Sequence, residues 1–326
     1  MGGAPDAGRI HAASANPGTA PRDAGAGNLA AIAAMLISTV LYTLSDAAMK
    51  FASVAVPTGE GVFLRSLGTV LLLTFAAAWS GVLASLRQVL RPLLFWRGLG
   101  DAGNSLAFQA ALARMPLADA MGILQLTPLC LTAASALLLS AKVGWRRWSA
   151  VGAGLIGALL VIKPGSGAFN IWAILVVVSV LCGTFRDLSS RRFDPALSPL
   201  VILIGSQSIV GSCALGGLLF EHWVLPAPLV GLQLGLGALF IAGGHLFALN
   251  AVRSSDLAVV APFRYAGIVW AILLGFGLWG DLPDKLSLAG ILILIAAGLY
   301  TFNRERRAGM IDKAMPDMRP PATEPS

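Results

Sequence analysis

The sequence predicts an all-α integral membrane protein with ten transmembrane helices, arranged as two inverted five-helix repeats. Three observations carry that expectation. Hydrophobic residues make up 56% of the 326 and charged residues only 12%, with a mean hydropathy of +0.78; soluble domains carry about 25% charged residues. Apolar runs long enough to cross a bilayer recur along the chain. The polar landmarks of the first half return in the same order in the second. Five spans per copy is an odd number, so the second copy inserts upside down. Inverted repeats place a substrate site near the midplane, at their interface.

Residues 1–27 are rich in Ala, Gly and Pro without a periodic apolar face, and read as a disordered tail. They hold no apolar core or cleavage site of a signal peptide. Ten apolar segments follow, at about 29–50, 60–80, 92–112, 117–139, 147–163, 169–188, 199–220, 228–250, 256–279 and 286–303. The first repeat is expected over 28–165 and the second over 166–303. Residues 304–326 form a basic, Pro-rich tail, also expected to be disordered.

The loops divide the charge. One side receives Arg87 and Arg91, then Lys142, Arg146 and Arg147, then Arg191 and Arg192, then Arg253, then the C-terminal cluster. The other receives Lys50, Arg114, Lys163 and Lys285, offset by Glu221, Asp281 and Asp284. The positive-inside rule therefore puts both termini in the cytoplasm, with the protein in the cell inner membrane. The net charge of +7 lies in these loops and does not point to nucleic acid. Cys130, Cys182 and Cys213 each lie inside an apolar run and read as buried free thiols, so no metal or other cofactor is expected.

The internal repeat rests on two pairs of segments. SDAAMKF at 45–51 ends the first span as RDLSSRRF at 186–193 ends the sixth. LADAMGILQLTPL at 117–129 opens the fourth as SSDLAVVAPFRY at 254–265 opens the ninth. With SDAAMKF…VPTGEGVFLRS across the first two spans and APFRYAGIVWAILLGFGLWGDLPD in the ninth, the chain resembles the drug/metabolite transporter superfamily, EamA type, over about residues 29–303. The resemblance implies a ten-helix transporter. Members of that superfamily carry amino acids, vitamins such as riboflavin, S-adenosylmethionine, metallophores or drug-like cations, some inward and some outward. One departure is visible: the link after the fourth span reads SAKVGWRRW, with Ala141 and Lys142 where the family often has an acid such as Asp281.

Between Asp256 and Asp281 lie 24 residues, of which only Arg264 is charged. As a helix they rise roughly 36 Å, enough to cross a ~30 Å hydrocarbon core. Arg264 then sits about a third of the way in, where a guanidinium costs at least ~2.5 kcal/mol without a wet cavity or a partner. Pro262 removes a backbone N–H and predicts a helix kink beside it. Arg264, with Phe263 and Tyr265, is thus a candidate for binding a substrate carboxylate or phosphate; an ion pair between two helices is the structural alternative.

Asp101 lies in the third span, with Arg97 and Asn104 one turn to either side on the same face. The stripe reads as a coupling or substrate-binding element, or as a structural pair of Asp101 with Arg97 or Arg264. Gln125 falls near the repeat-equivalent position of Pro262–Tyr265 and could read a hydroxyl or amide. Asp46, Lys50, Glu60 and Arg65 are expected to meet in one ion-pair cluster at the outer mouth, as a gate or a brace, with Arg186 and Asp187 as inverted counterparts. His245 could relay protons or simply pack, Gln109 and Gln207 are weaker candidates, and Trp96, Phe108 and Trp270 could stack on a planar substrate. Gly231 and Gly235, spaced G-x-x-x-G, read as a close-packing pair.

No G-x-x-x-x-G-K-[ST], H-E-x-x-H or G-x-S-x-G motif is present, which argues against ATP-driven transport and against an enzyme. The expectation is a secondary transporter that moves a small organic metabolite by alternating access, ion-coupled or gradient-driven. The alternatives are an exporter of drugs or toxic metabolites and a lipid-handling flippase of the same fold. Membrane lipid and the substrate are the expected partners, with a monomer as the expected state and a homodimer as the alternative.

Overall fold

The computed structural model describes the backbone of residues 22–138, 145–165, 169–190, 197–254 and 257–314. It consists of helices: α1 (Arg22–Ala52), α2 (Thr58–Trp79), α3 (Pro92–Leu112), α4 (Leu117–Leu124), α5 (Thr127–Leu138), α6 (Trp145–Ile162), α7 (Trp172–Ser190), α8 (Pro199–Leu215), α9 (Pro228–Ser254), α10 (Leu257–Val260), α11 (Ala266–Trp279) and α12 (Lys285–Ala314). Proline opens α3, α8 and α9, where its missing N–H has no partner to lose.

Ten spans follow from these helices, because α4 with α5, and α10 with α11, each make one interrupted span. Eight are long and apolar enough to cross a membrane. The third, α3, carries Arg97 and Asp101, and the fifth, α6, opens on Arg146 and Arg147. Both ends run further than the sequence suggests. Helix α1 starts at Arg22, inside the expected N-terminal tail, and α12 runs on to Ala314, inside the expected C-terminal one. Residues 1–21 and 315–326, and the Ala141–Lys142 link, lie outside the described residues.

The two interruptions have a local cause. Pro128 cannot donate to the Leu124 carbonyl, so the Thr127 hydroxyl does, at 2.7 Å. The chain tightens there, with Gln125 and Leu126 donating three residues back to Gly122 and Ile123. In the ninth span Pro262 lies in a 3₁₀ turn, Ala261–Tyr265, between α10 and α11. Each proline falls late in its repeated segment, Pro128 twelfth from Leu117 and Pro262 ninth from Ser254.

Helix packing has a twofold pattern. The first span packs on the eighth and the third on the sixth; the second on the eighth and the third on the seventh; the first on the ninth and the fourth on the sixth. Each couple interconverts when every helix is exchanged for the one five further along. The second–seventh, fifth–tenth and fourth–ninth contacts map onto themselves.

Glycine sets the closest of these approaches. A Cβ on Gly157 of α6 would stand 2.8 Å from the Gly290 carbonyl of α12, and one on Gly100 of α3 3.0 Å from the Cys182 carbonyl of α7. Gly231 and Gly235 do not pack: a Cβ on either would meet nothing within 4 Å, so that expectation is corrected. The largest core, with Leu117, Ile123, Val176, Ile268 and Leu294, joins α4, α7, α11 and α12. Phe75, Trp79, Leu232 and Leu239 stay exposed, as a lipid-facing belt requires.

Candidate functional site

A ladder of polar contacts joins α3 to α7, rung by helical turn. Arg97 Nε donates to Ser190 Oγ at 2.9 Å, and the same guanidinium donates to Ser206 of α8. One turn on, Arg186 Nη1 donates to Asp101 Oδ1 at 3.0 Å while its Nε donates to Asp187 Oδ1 at 2.9 Å. Another turn on, Asn104 Nδ2 donates to the Ser179 carbonyl at 3.0 Å. Arg97, Asp101 and Asn104 do share one face, but their partners come from α7 and, for Arg97, also from α8. Asp101 pairs with Arg186, not with Arg264.

A second polar group lies nearer the α1 C-terminus. Gln109 Nε2 donates to Asp46 Oδ1 at 2.9 Å, Arg65 Nη2 donates to Ser105 Oγ at 2.9 Å, and Arg65 Nη1 stands 3.8 Å from Asp46 Oδ1. Between the two groups, the Tyr42 hydroxyl and His245 Nδ1 lie 2.9 Å apart, and the other ring nitrogen is 3.4 Å from Gln207. Asp101, Arg186, Arg97 and Arg65 all stand close enough to His245 for their charges to act on it, so the two groups share one polar interior through the Tyr42–His245–Gln207 contacts.

Arg264 stands on the 3₁₀ turn beside that interior. It is exposed, and makes no hydrogen bond or ion pair among the described residues. Its charge reaches Tyr42, as do those of Arg186 and Asp101. Its neighbours are anchored elsewhere. Phe263 packs on a cluster of Ala31, Met35, Ala251 and Val260, and the Tyr265 hydroxyl abuts Gly298 of α12. Gln125 sits half-buried at the matching interruption of the fourth span. Among the aromatics, Phe108 is core and Trp96 is 55% exposed.

The expected four-residue cluster does not form. Asp46 and Arg65 face each other, but Lys50 Nζ donates to the Met115 carbonyl at 2.7 Å, lies 3.9 Å from Asp281 and sits over the Trp279 ring. Glu60 is buried and accepts from the Val224 N–H at 3.0 Å. The physical reason is that each charge finds the nearest complementary group across the bundle, whereas only Asp46 and Arg65 point inward. Contacts at this end form a clasp: Lys50–Asp281, Phe51 stacked on Trp279 at 4.6 Å, Lys163 donating to Asp284, and Glu221 accepting from the Gly59 N–H. The Lys163 and Ser287 hydrogen bonds hold the Asp284 carboxyl below the usual carboxylate range.

At the opposite end the fourth and ninth spans part. Helices α4 and α11 pack on one another, but α5 packs on α7 and α6, and the Ala261–Tyr265 turn packs on α1 and α12. Arg264 stands on the ninth-span side of that divergence. Tyr42 and Ser105 escaped the sequence reading, and Asp284 was counted there only among the loop charges. Tyr42 stands one turn before Asp46 on α1, and Ser105 one turn before Gln109 on α3; that spacing could have found them.

Comparison with known proteins agrees with this architecture. The EamA-like transporter family model matches residues 27–163. The pseudopaline exporter CntI of Pseudomonas aeruginosa is 27% identical over 265 residues, 80% of this chain and 92% of that protein. The S-adenosylmethionine uptake transporter of Rickettsia prowazekii is 24% identical over 84% of this chain and 92% of its own. The riboflavin transporter of Vibrio cholerae is 25% identical over 82% and 91%. A crystal structure of a further protein superposes with a TM-score of 0.58 over 87% of this chain and 99% of the other. At 19% identity that likeness shows the fold alone.

An all-helical bundle of apolar spans around a charged interior, similar over most of its length to metabolite carriers, defines a multi-pass membrane transporter. Its residues 27–163 match the EamA-like transporter family model, and the relatives it resembles over most of its length are themselves transporters.

Proposed function

We propose that the chain is a secondary transporter for a small organic metabolite, resident in the cell inner membrane with both termini in the cytoplasm. Its two repeats, 28–165 and 166–303, act as a monomer around the shared polar interior and alternate access to it. No chemical step is assigned to the chain. The loop charges support the orientation, and the twofold packing supports the repeats. The single observation that carries the site is Arg264, a cation at an interrupted span with no hydrogen-bond or ion-pair partner among the described residues. An intramembrane guanidinium in that position awaits an anionic group, and binding one removes its electrostatic cost.

On this reading the clasp at the Lys50 end is the closed outer gate, and the divergence of α5 from the 261–265 turn is the inner entrance. Substrate bound at Arg264 stabilises closure of the inner end, after which the clasp parts. Named relatives carry S-adenosylmethionine, riboflavin or pseudopaline, which supports a polar organic substrate. Counterflow in proteoliposomes with S-adenosylmethionine, riboflavin and aromatic and aliphatic amino acids tests the reading. Exchange of one of them, lost in Arg264→Ala, supports it; exchange untouched by that variant removes Arg264 from the site.

A further inference from the structure

The two buried arginine–acid pairs differ in one respect. Arg186 is bonded on two edges, to Asp101 and to Asp187. Arg65 is only 3% exposed, yet its Nη1 has no hydrogen-bond partner, and Asp46 stands at 3.8 Å, beyond hydrogen-bonding range. A buried donor left unmet in this way marks a place where a partner belongs. The Arg65 side chain cannot close the gap by itself: Ser105 holds Nη2, and the stem lies along the bare face of Gly237. Asp46 is held back by Gln109, its second oxygen accepts no hydrogen bond among the described residues, and its side chain is 15% exposed. A small crevice at the clasp end, lined by Met49, Ala52, Val56, Pro57, Gly61 and Gln109, meets this group only through Gln109, the partner of Asp46.

The geometry points to Asp46 and Arg65 as a reader of zwitterions: a substrate α-amino-acid group places its carboxylate on Arg65 Nη1 and its ammonium on Asp46. This deepens the transporter reading above and rests on it. The selectivity follows from charge balance. An anion alone could satisfy Arg65 only by leaving Asp46 buried without a counter-charge, and a cation alone would strand Arg65. A zwitterion meets both charges at once, so the pair opens without leaving either exposed to a low dielectric. Arg264, deeper toward the other end, remains for a further anionic or polar part of the same molecule.

The test is counterflow in proteoliposomes with three probes that share one ring: L-phenylalanine, phenethylamine and 3-phenylpropionate. A second set is S-adenosylmethionine, 5′-methylthioadenosine (the same nucleoside thioether without its amino-acid arm) and riboflavin. The expected result is that the amino-acid-bearing member of each set exchanges at least about tenfold better than its counterparts. Asp46→Asn should raise exchange of the anion relative to the zwitterion by about tenfold, and Arg65→Gln should do the same for the amine. Both variants must elute as monodisperse protein; that readout separates lost folding from altered choice. Equal exchange of zwitterion and single ions, or variants that slow every probe alike, overturns the proposal and leaves a structural brace. Exchange of riboflavin or 5′-methylthioadenosine without the amino-acid probes overturns it and leaves the transporter reading standing. Exchange of no probe counts against both.

Discussion

Arg186 Nη1 donates to Asp101 Oδ1 at 3.0 Å, so the one carboxylate of the third span is already neutralised by the sixth. The same arginine is held by Asp187, its neighbour in sequence. This arrangement ties α3 to α7, and its loss should register as stability. Asp101→Asn is expected to lower folding stability by about 1–3 kcal/mol, because Arg186 keeps one of its two acids. Thermal unfolding in detergent checks it. Asp187→Asn should cost less, since Asp187 is the more exposed acid, 29% against 15%.

The clasp gives a conformational prediction. Lys50 and Asp281 are 3.9 Å apart, and Phe51 stacks on Trp279 just beside them. If this end must part in each cycle, a Lys50→Cys/Asp281→Cys pair should form a disulfide under mild oxidant. Transport should then fall by at least about tenfold and return on reduction. Crosslinking that leaves transport unchanged would make the clasp a static brace.

Asp284 also belongs to the clasp, and its hydrogen bonds from Lys163 and the Ser287 N–H depress its proton affinity. A depressed carboxyl contributes stability above its unfolded value, near 3.9, and loses it only as pH falls through the lower folded value. Acidification from pH 8 to pH 5 therefore leaves this contact charged. The pH profile of transport over that window should be the same in Asp284→Asn as in the parent protein.

The glycines separate two kinds of close-packing motif. Gly157→Ala drives a methyl against the Gly290 carbonyl and should cost about 1–3 kcal/mol in thermal unfolding. Gly231→Ala and Gly235→Ala meet nothing and should be neutral or stabilising by up to about 1 kcal/mol.

The spans themselves were legible because hydropathy and length are local properties. All ten predicted segments overlap helices, and the proline interruptions fall where Pro128 and Pro262 demand them. The ends were misjudged because α1 and α12 extend through polar residues that hydropathy does not count. Partnerships were harder. Helical spacing put Arg97, Asp101 and Asn104 on one face, but their partners Ser190, Arg186 and the Ser179 carbonyl belong to a helix some eighty residues away, and no periodicity reports that. The four outer charges looked like one cluster because they share a depth. Lys50 and Glu60 instead found backbone groups and a carboxylate at their own edges of the bundle. The G-x-x-x-G spacing of Gly231 and Gly235 could not say which way that face of α9 turns. Arg264 was legible from its cost alone, since a lone charge in an apolar span demands an explanation.

The central claim is that Arg264 serves substrate and not the fold. Arg264→Ala should unfold within about 0.5 kcal/mol of the parent protein, as befits an exposed side chain without a partner among the described residues, while counterflow falls by at least about tenfold. Unfolding and counterflow measured on one preparation test this directly. Lost stability with proportionate loss of transport would make Arg264 structural, and full transport in the variant would contradict the site.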